Sequence, residues 1–137
     1  MHAFFSFKLI FLILIFFFPT LIAAEEDSQP KAIYYAFKDP FTINFLNQSK
    51  KRARYLQIKV SLKSMDPLAV TAAQDNAPML EDALLELFTE QSFEQVNSLE
   101  GRQALQQSAL EIVKTVLTEE TGSAGIDAVY FTSFIIQ

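Results

Sequence analysis

Between Tyr55 and Met65 apolar and polar residues alternate without a break, with Leu56, Ile58, Val60 and Leu62 on one face and Gln57, Lys59, Ser61 and Lys63 on the other. Successive side chains of an extended chain point to opposite sides, so this run predicts a half-buried strand, covered on one side only. One face of the resulting sheet needs an apolar layer laid against it. The other can stay wet.

The flanking segments supply that layer. Lys31 to Phe37 and Phe41 to Leu46 read as two further strands, parted at Asp39-Pro40, and Asn47 to Arg54 reads as a polar turn. Asp66-Pro67 fits an N-cap followed by a first helical residue, which predicts a short helix from Leu68 to about Gln74. From Pro78 a second, amphipathic helix places Leu80, Leu84, Leu87 and Phe88 on one face and Glu81, Asp82, Glu86 and Glu90 on the other. Ser98 caps a third and longest helix, in which Leu105, Ala109, Ile112, Val113, Val116 and Leu117 recur at helical spacing up to about Thr121. Gly101 near its start costs about 1 kcal/mol against Ala, which calls for close backbone approach or a frayed first turn. After the breaker Gly122/Gly125, Val129 to Gln137 is rich in β-branched and aromatic residues and reads as a last strand. Phe131, Phe134 and Ile136 are too apolar to leave bare, which predicts core or interface for this segment. The order β, β, β, α, α, α, β predicts an α+β sandwich, a sheet with helices on one face and a final strand inserted late.

The amino-terminal segment sets the compartment. Lys8 is followed by Leu9 to Ala24 with no charge at all, then by Glu25, Glu26 and Asp27. This layout is that of a secretory signal with cleavage after Ala24, or of a retained signal anchor or transmembrane helix. In both cases the remainder is exported. The expected organisation is residues 1–24 as signal or anchor, 25–33 as a short linker, and 34–137 as one domain with one core.

Only Lys8 of the 11 basic residues precedes residue 25, so ten face 16 acidic residues and the exported part carries a net charge of −6. Such a surface does not suit nucleic acid, which needs cations to displace phosphate counterions. The 0 cysteines allow neither disulfides nor thiolate metal sites, and the 1 histidine is His2, within the signal. With only 3 glycines no phosphate-cradling loop exists. Glu81/Asp82 and Glu119/Glu120 offer paired carboxylates, but neighbours on a helix point apart and form a solvated face. No catalytic residue, metal ligand or cofactor site is expected, and the chain reads as one that binds rather than converts. The basic cluster Lys50, Lys51, Arg52 and Arg54 reads either as a contact for anionic headgroups or an acidic partner, or as a solvated hairpin turn. Tyr34, Tyr35, Phe37, Phe41, Phe45 and Tyr55 read as core or as a ligand groove.

Five segments carry a resemblance: Phe41-Thr-Ile-Asn-Phe45, Arg54-Tyr-Leu-Gln-Ile-Lys-Val60, Ala77-Pro-Met-Leu-Glu-Asp-Ala-Leu-Leu85, Leu99-Glu-Gly-Arg-Gln-Ala-Leu105 and Val129-Tyr-Phe-Thr-Ser-Phe-Ile-Ile-Gln137. In this order and spacing they resemble FliL, the family of flagellar basal body-associated membrane proteins, over roughly Tyr34 to Gln137. The resemblance implies a periplasmic domain similar to the stomatin-type (SPFH) fold, held at the inner membrane. It further implies a homo-oligomeric ring around a flagellar stator of the MotA/MotB type at the basal body, supporting swimming, swarming and chemotaxis without catalysis. The family's usual pattern has a cytoplasmic tail and a longer anchor and linker, which this chain shortens, as a secreted paralogue would. Scaffolding of this kind requires tighter binding to one stator state than to the other. The candidate partner or oligomer contacts are Arg54, Glu100, Arg102, Phe131 and Phe134. The alternative is a soluble periplasmic module binding a small apolar ligand or lipid between sheet and helices.

Overall fold

The computed structural model of the chain describes residues 29–45 and 53–137. The candidate signal or anchor, and Lys50, Lys51 and Arg52 of the basic turn, lie outside the described residues. The strands are β1 (Ile33–Ala36), β2 (Phe41–Asn44), β3 (Tyr55–Ser64) and β4 (Ala128–Ile136); the helices are α1 (Pro67–Asp75), α2 (Ala77–Thr89), α3 (Phe93–Asn97) and α4 (Leu99–Thr121). The chain is α+β, a four-stranded antiparallel sheet with helices packed on it.

The alternating segment is the centre of the sheet. β3 pairs with each of the other strands, and Leu56, Ile58, Val60 and Leu62 are at most 1 % exposed. Each of these side chains contributes about 1.5–3 kcal/mol by leaving water. They meet Leu80, Leu84 and Phe88 of α2 and Leu105, Ala109, Val113 and Leu117 of α4 in one apolar cluster. These residues recur four apart in the helices, which is why a single face of each is buried.

Both sheet edges carry an irregularity, and the one in β4 keeps its side chains in phase. Ile58 pairs with Phe41 of β2 and with Phe134 of β4, and Ser61 with Ala36 of β1 and Tyr130 of β4, so β1 and β2 lie in tandem on the edge opposite β4. The Phe37 N–H continues the ladder by donating to the Val60 carbonyl at 3.1 Å. The two strands expected from the sequence are thus halves of one edge strand, broken where Pro40 has no N–H to donate. On the other edge Lys59 faces Ser133 and Val60 faces Phe131, leaving Thr132 as an extra residue in a β-bulge. Without it, Phe134 and Ile136 would fall on the opposite face from Val129 and Phe131. Beyond β4 the Gln137 N–H and carbonyl exchange hydrogen bonds with Tyr55 at 2.9 and 2.8 Å.

The caps follow the sequence. Asp66 Oδ1 accepts from the Leu68 N–H at 2.9 Å, Ser98 Oγ accepts from the Gly101 N–H at 3.0 Å, and Gly122 ends α4 in the left-handed region at φ 78°. The helix α3 is an addition to the expected three. Ser92 Oγ accepts from the Gln95 N–H while Gln95 Oε1 accepts from the Ser92 N–H, a reciprocal cap legible as Ser-x-x-Gln. Buried Ser64 donates to the Gly125 carbonyl and accepts from the Asp66 N–H, tying the end of β3 to the approach to β4.

Candidate functional site

The residues singled out in the sequence gather around the five-residue helix α3. Gly101, in the first turn of α4, lies against the Gln95 carbonyl so closely that a β-carbon there would overlap the oxygen. Close backbone approach is therefore the reason for this glycine, since a helical backbone by itself would favour Ala. The approach brings Arg102 within reach of α3. Its Nε donates to the Val96 carbonyl at 2.8 Å, and its guanidinium sits 4.9 Å from the centre of the Phe134 ring. A carbonyl left over at the end of α3 thus gains a charged donor.

Arg54 braces the other end. Its guanidinium lies 4.0 Å from the centre of the Phe93 ring, at the first residue of α3, and Phe93 meets Phe45 edge-to-face at 6.0 Å. Arg54, Arg102, Phe131 and Phe134 are all half-buried, and each touches this chain's own rings or backbone. Glu100, with Leu99 beside it, is exposed on the outer side of the same turn.

Phe134 ends a file of rings that crosses the domain. Tyr35, Phe37, Phe41, Phe88, Phe131 and Phe134 follow one another with centres 5.2, 5.6, 5.3, 5.8 and 5.9 Å apart, mostly edge-to-face. Such contacts add about 0.5–1.5 kcal/mol each beyond buried area and fix ring orientation as well. Phe37, Phe41 and Phe45 are accordingly core residues, while Tyr34 and Tyr55 stand exposed on the opposite side of the sheet. At the start of the file, burial raises the Tyr35 hydroxyl pKa above the usual 10.0, and the Glu81 carboxylate raises it further.

Beside this file an open groove of about 510 Å³ runs between the break in the edge strand and α2, lined by Asp39, Pro40, Phe41, Thr42, Pro78, Glu81, Asp82 and Leu85. The sequence-singled pair Glu81/Asp82 lies on its rim and is exposed. Among the described residues no group of three or more His, Cys, Asp or Glu is placed to hold a metal ion. None of the described helices is long and apolar enough to cross a membrane.

The geometry is that of a two-layer α+β domain in which Arg54 and Arg102 brace the turn around α3 and Leu99 and Glu100 stand exposed. The chain matches the model of the family described as flagellar basal body-associated protein FliL over residues 34–137, and it belongs to that family. It is 28 % identical over 105 residues to the flagellar protein FliL of Aquifex aeolicus (strain VF5), a match covering 77 % of this chain and 62 % of that protein. The chain thus spans less than two thirds of the length of the curated relative it matches.

Proposed function

We propose that this domain is a scaffold beside the flagellar stator. Residues 1–24 hold it at the inner membrane with residues 34–137 in the periplasm, on the stomatin-type plan that the family resemblance implies. Copies pack side by side into a ring that favours the active form of the stator unit and so supports swimming, swarming and chemotaxis. The FliL-family match across residues 34–137 carries this reading. Consistent with it, the turn between α3 and α4 is held rigid by Gly101 and Arg102 while exposing Leu99 and Glu100 to a partner. A preformed contact loses less entropy on binding than a mobile one.

Of the residues expected to touch a partner, Glu100 is the one to test, because it is exposed. Glu100→Lys reverses an exposed charge at a cost of about 1 kcal/mol in the first turn of α4, and the expected outcome is weaker cross-linking between copies or to the stator, with smaller swim rings. Unchanged cross-linking and swimming remove Glu100 from the contact. A null strain that swims normally removes the motor role.

A further inference from the structure

The two layers of this domain carry opposite charge. The four helices hold nine carboxylates (Asp75, Glu81, Asp82, Glu86, Glu94, Glu100, Glu111, Glu119 and Glu120) against two cations, Arg102 and Lys114. Among the described residues the four strands hold no carboxylate at all, and their charged residues are Lys59 and Lys63. Both lysines lie on the face of the sheet that the helices leave uncovered, in a chain whose overall charge is −5.

That open face is also aromatic. Tyr34, Tyr55, Tyr130 and Ile135 are 58, 46, 39 and 39 % exposed. In the register Tyr34 stands opposite Lys63, Tyr130 opposite Ser61 and Ile135 opposite Gln57, so all share the side of Lys59. The rings of Tyr34 and Tyr130 lie 6.3 Å apart across the central strand. Cations with amphipathic aromatic rings on one flat surface, and the helix carboxylates in the other layer, suit a lipid headgroup layer.

The chain itself leads to such a layer. Residues 9–24 carry no charge, and the eight residues 25–32 separate them from β1, whose second residue is Tyr34. Fully extended, that spacer reaches about 26–29 Å. A face held this near a bilayer meets it at high effective concentration, so even a weak contact is populated.

We infer that the open face of the sheet rests on the bilayer, with Lys59 and Lys63 on anionic headgroups and the tyrosine rings at headgroup depth. The acidic helices then point away from the membrane. This orientation rests on the reading that residues 1–24 anchor the chain.

The absence of cysteine makes the test direct. Single variants Tyr130→Cys and Ile135→Cys on the open face, and Thr118→Cys on α4, carry a polarity-sensitive fluorophore in the full chain reconstituted into phosphatidylethanolamine/phosphatidylglycerol vesicles. The expected result is a blue shift at positions 130 and 135, none at 118, and loss of the shift in the Lys59→Glu/Lys63→Glu background. Circular dichroism and the position-118 label check that the fold persists. If the chain floats with the vesicles while both face labels stay in water, the contact is wrong and the anchor stands. If it does not float, the anchor and the contact fail together. A shift that follows protein density rather than lipid charge assigns the face to a second copy and overturns the proposal.

Discussion

Arg102 bonds back to Val96: its Nε donates to the Val96 carbonyl at 2.8 Å, across the junction at Ser98 where Gly101 packs against the Gln95 carbonyl. The same guanidinium packs over Phe134 of β4, so one side chain ties α3, α4 and the sheet edge together. Arg102→Ala removes both contacts and is expected to lower stability by about 1.5–3 kcal/mol. Arg102→Lys restores charge but not the planar fork, and should recover less than half of that loss. Urea denaturation measures both; full recovery by lysine makes the role one of charge alone.

Gly101→Ala separates packing from helix propensity. Propensity alone would stabilise α4 by about 1 kcal/mol. The Gln95 carbonyl occupies the space a methyl group needs, and backbone cannot swing aside as a side-chain tip can. Overpacking therefore wins, with a net loss of about 1–3 kcal/mol in the same urea titration. A more stable Ala variant would mean that the two helices separate freely.

Thr132 makes the register of β4 testable by deletion. Removing Thr132 alone leaves Phe131, Phe134 and Ile136 on the core face of a now regular strand, and thermal unfolding should shift little. Removing Thr132 and Ser133 together sends Phe134 and Ile136 to the open face and brings Ile135 inward. That double deletion is expected to lose about 2–4 kcal/mol from lost apolar burial. Equal effects of the two deletions would contradict the assigned bulge.

Tyr35 gives the alkaline limb of stability. Its folded pKa lies above the unfolded 10.0 because burial disfavours the phenolate, with Glu81 adding to the effect. The unfolded chain therefore loses this proton first as pH rises. The stabilising contribution is complete below pH 10 and is lost as pH climbs from there through the folded value. Tyr35→Phe should flatten the decline above pH 10, and Glu81→Gln should reduce it by less. Absorbance titration of the phenol paired with denaturation at each pH checks the sign.

The sequence carried the layers well and the joints poorly. Alternation in β3 and the helical spacing of Leu80, Leu84 and Phe88 are local signals that solvent exposure alone enforces, and the structure buries those faces. The tandem arrangement of β1 and β2 is different, because which edge a strand joins depends on pairing that leaves no local mark. The bulge at Thr132 was written in the phase change between Val129/Phe131 and Phe134/Ile136, and α3 in Ser92 and Gln95, although both signals are short. Gly101 is legible as either a close approach or a frayed first turn, and only the position of the Gln95 carbonyl decides between them. Nor does the residue string tell that Arg54 and Arg102 lean on rings of their own chain, since charged residues near element ends fit a partner equally well.

The central position of β3 governs how this domain is assembled in time. Its partner on one side, β4, pairs Leu56 with Ile136 and Lys63 with Ala128, across a stretch of chain that includes all four helices. Closing so long a loop is entropically expensive, and the core that α2 and α4 cover is incomplete until the ladder supplies Val129, Phe131 and Phe134. Partial structures are therefore poorly rewarded, and folding is expected to be slow and all-or-none. A proteolytic cut between α2 and α3 should yield two unfolded fragments rather than a surviving half.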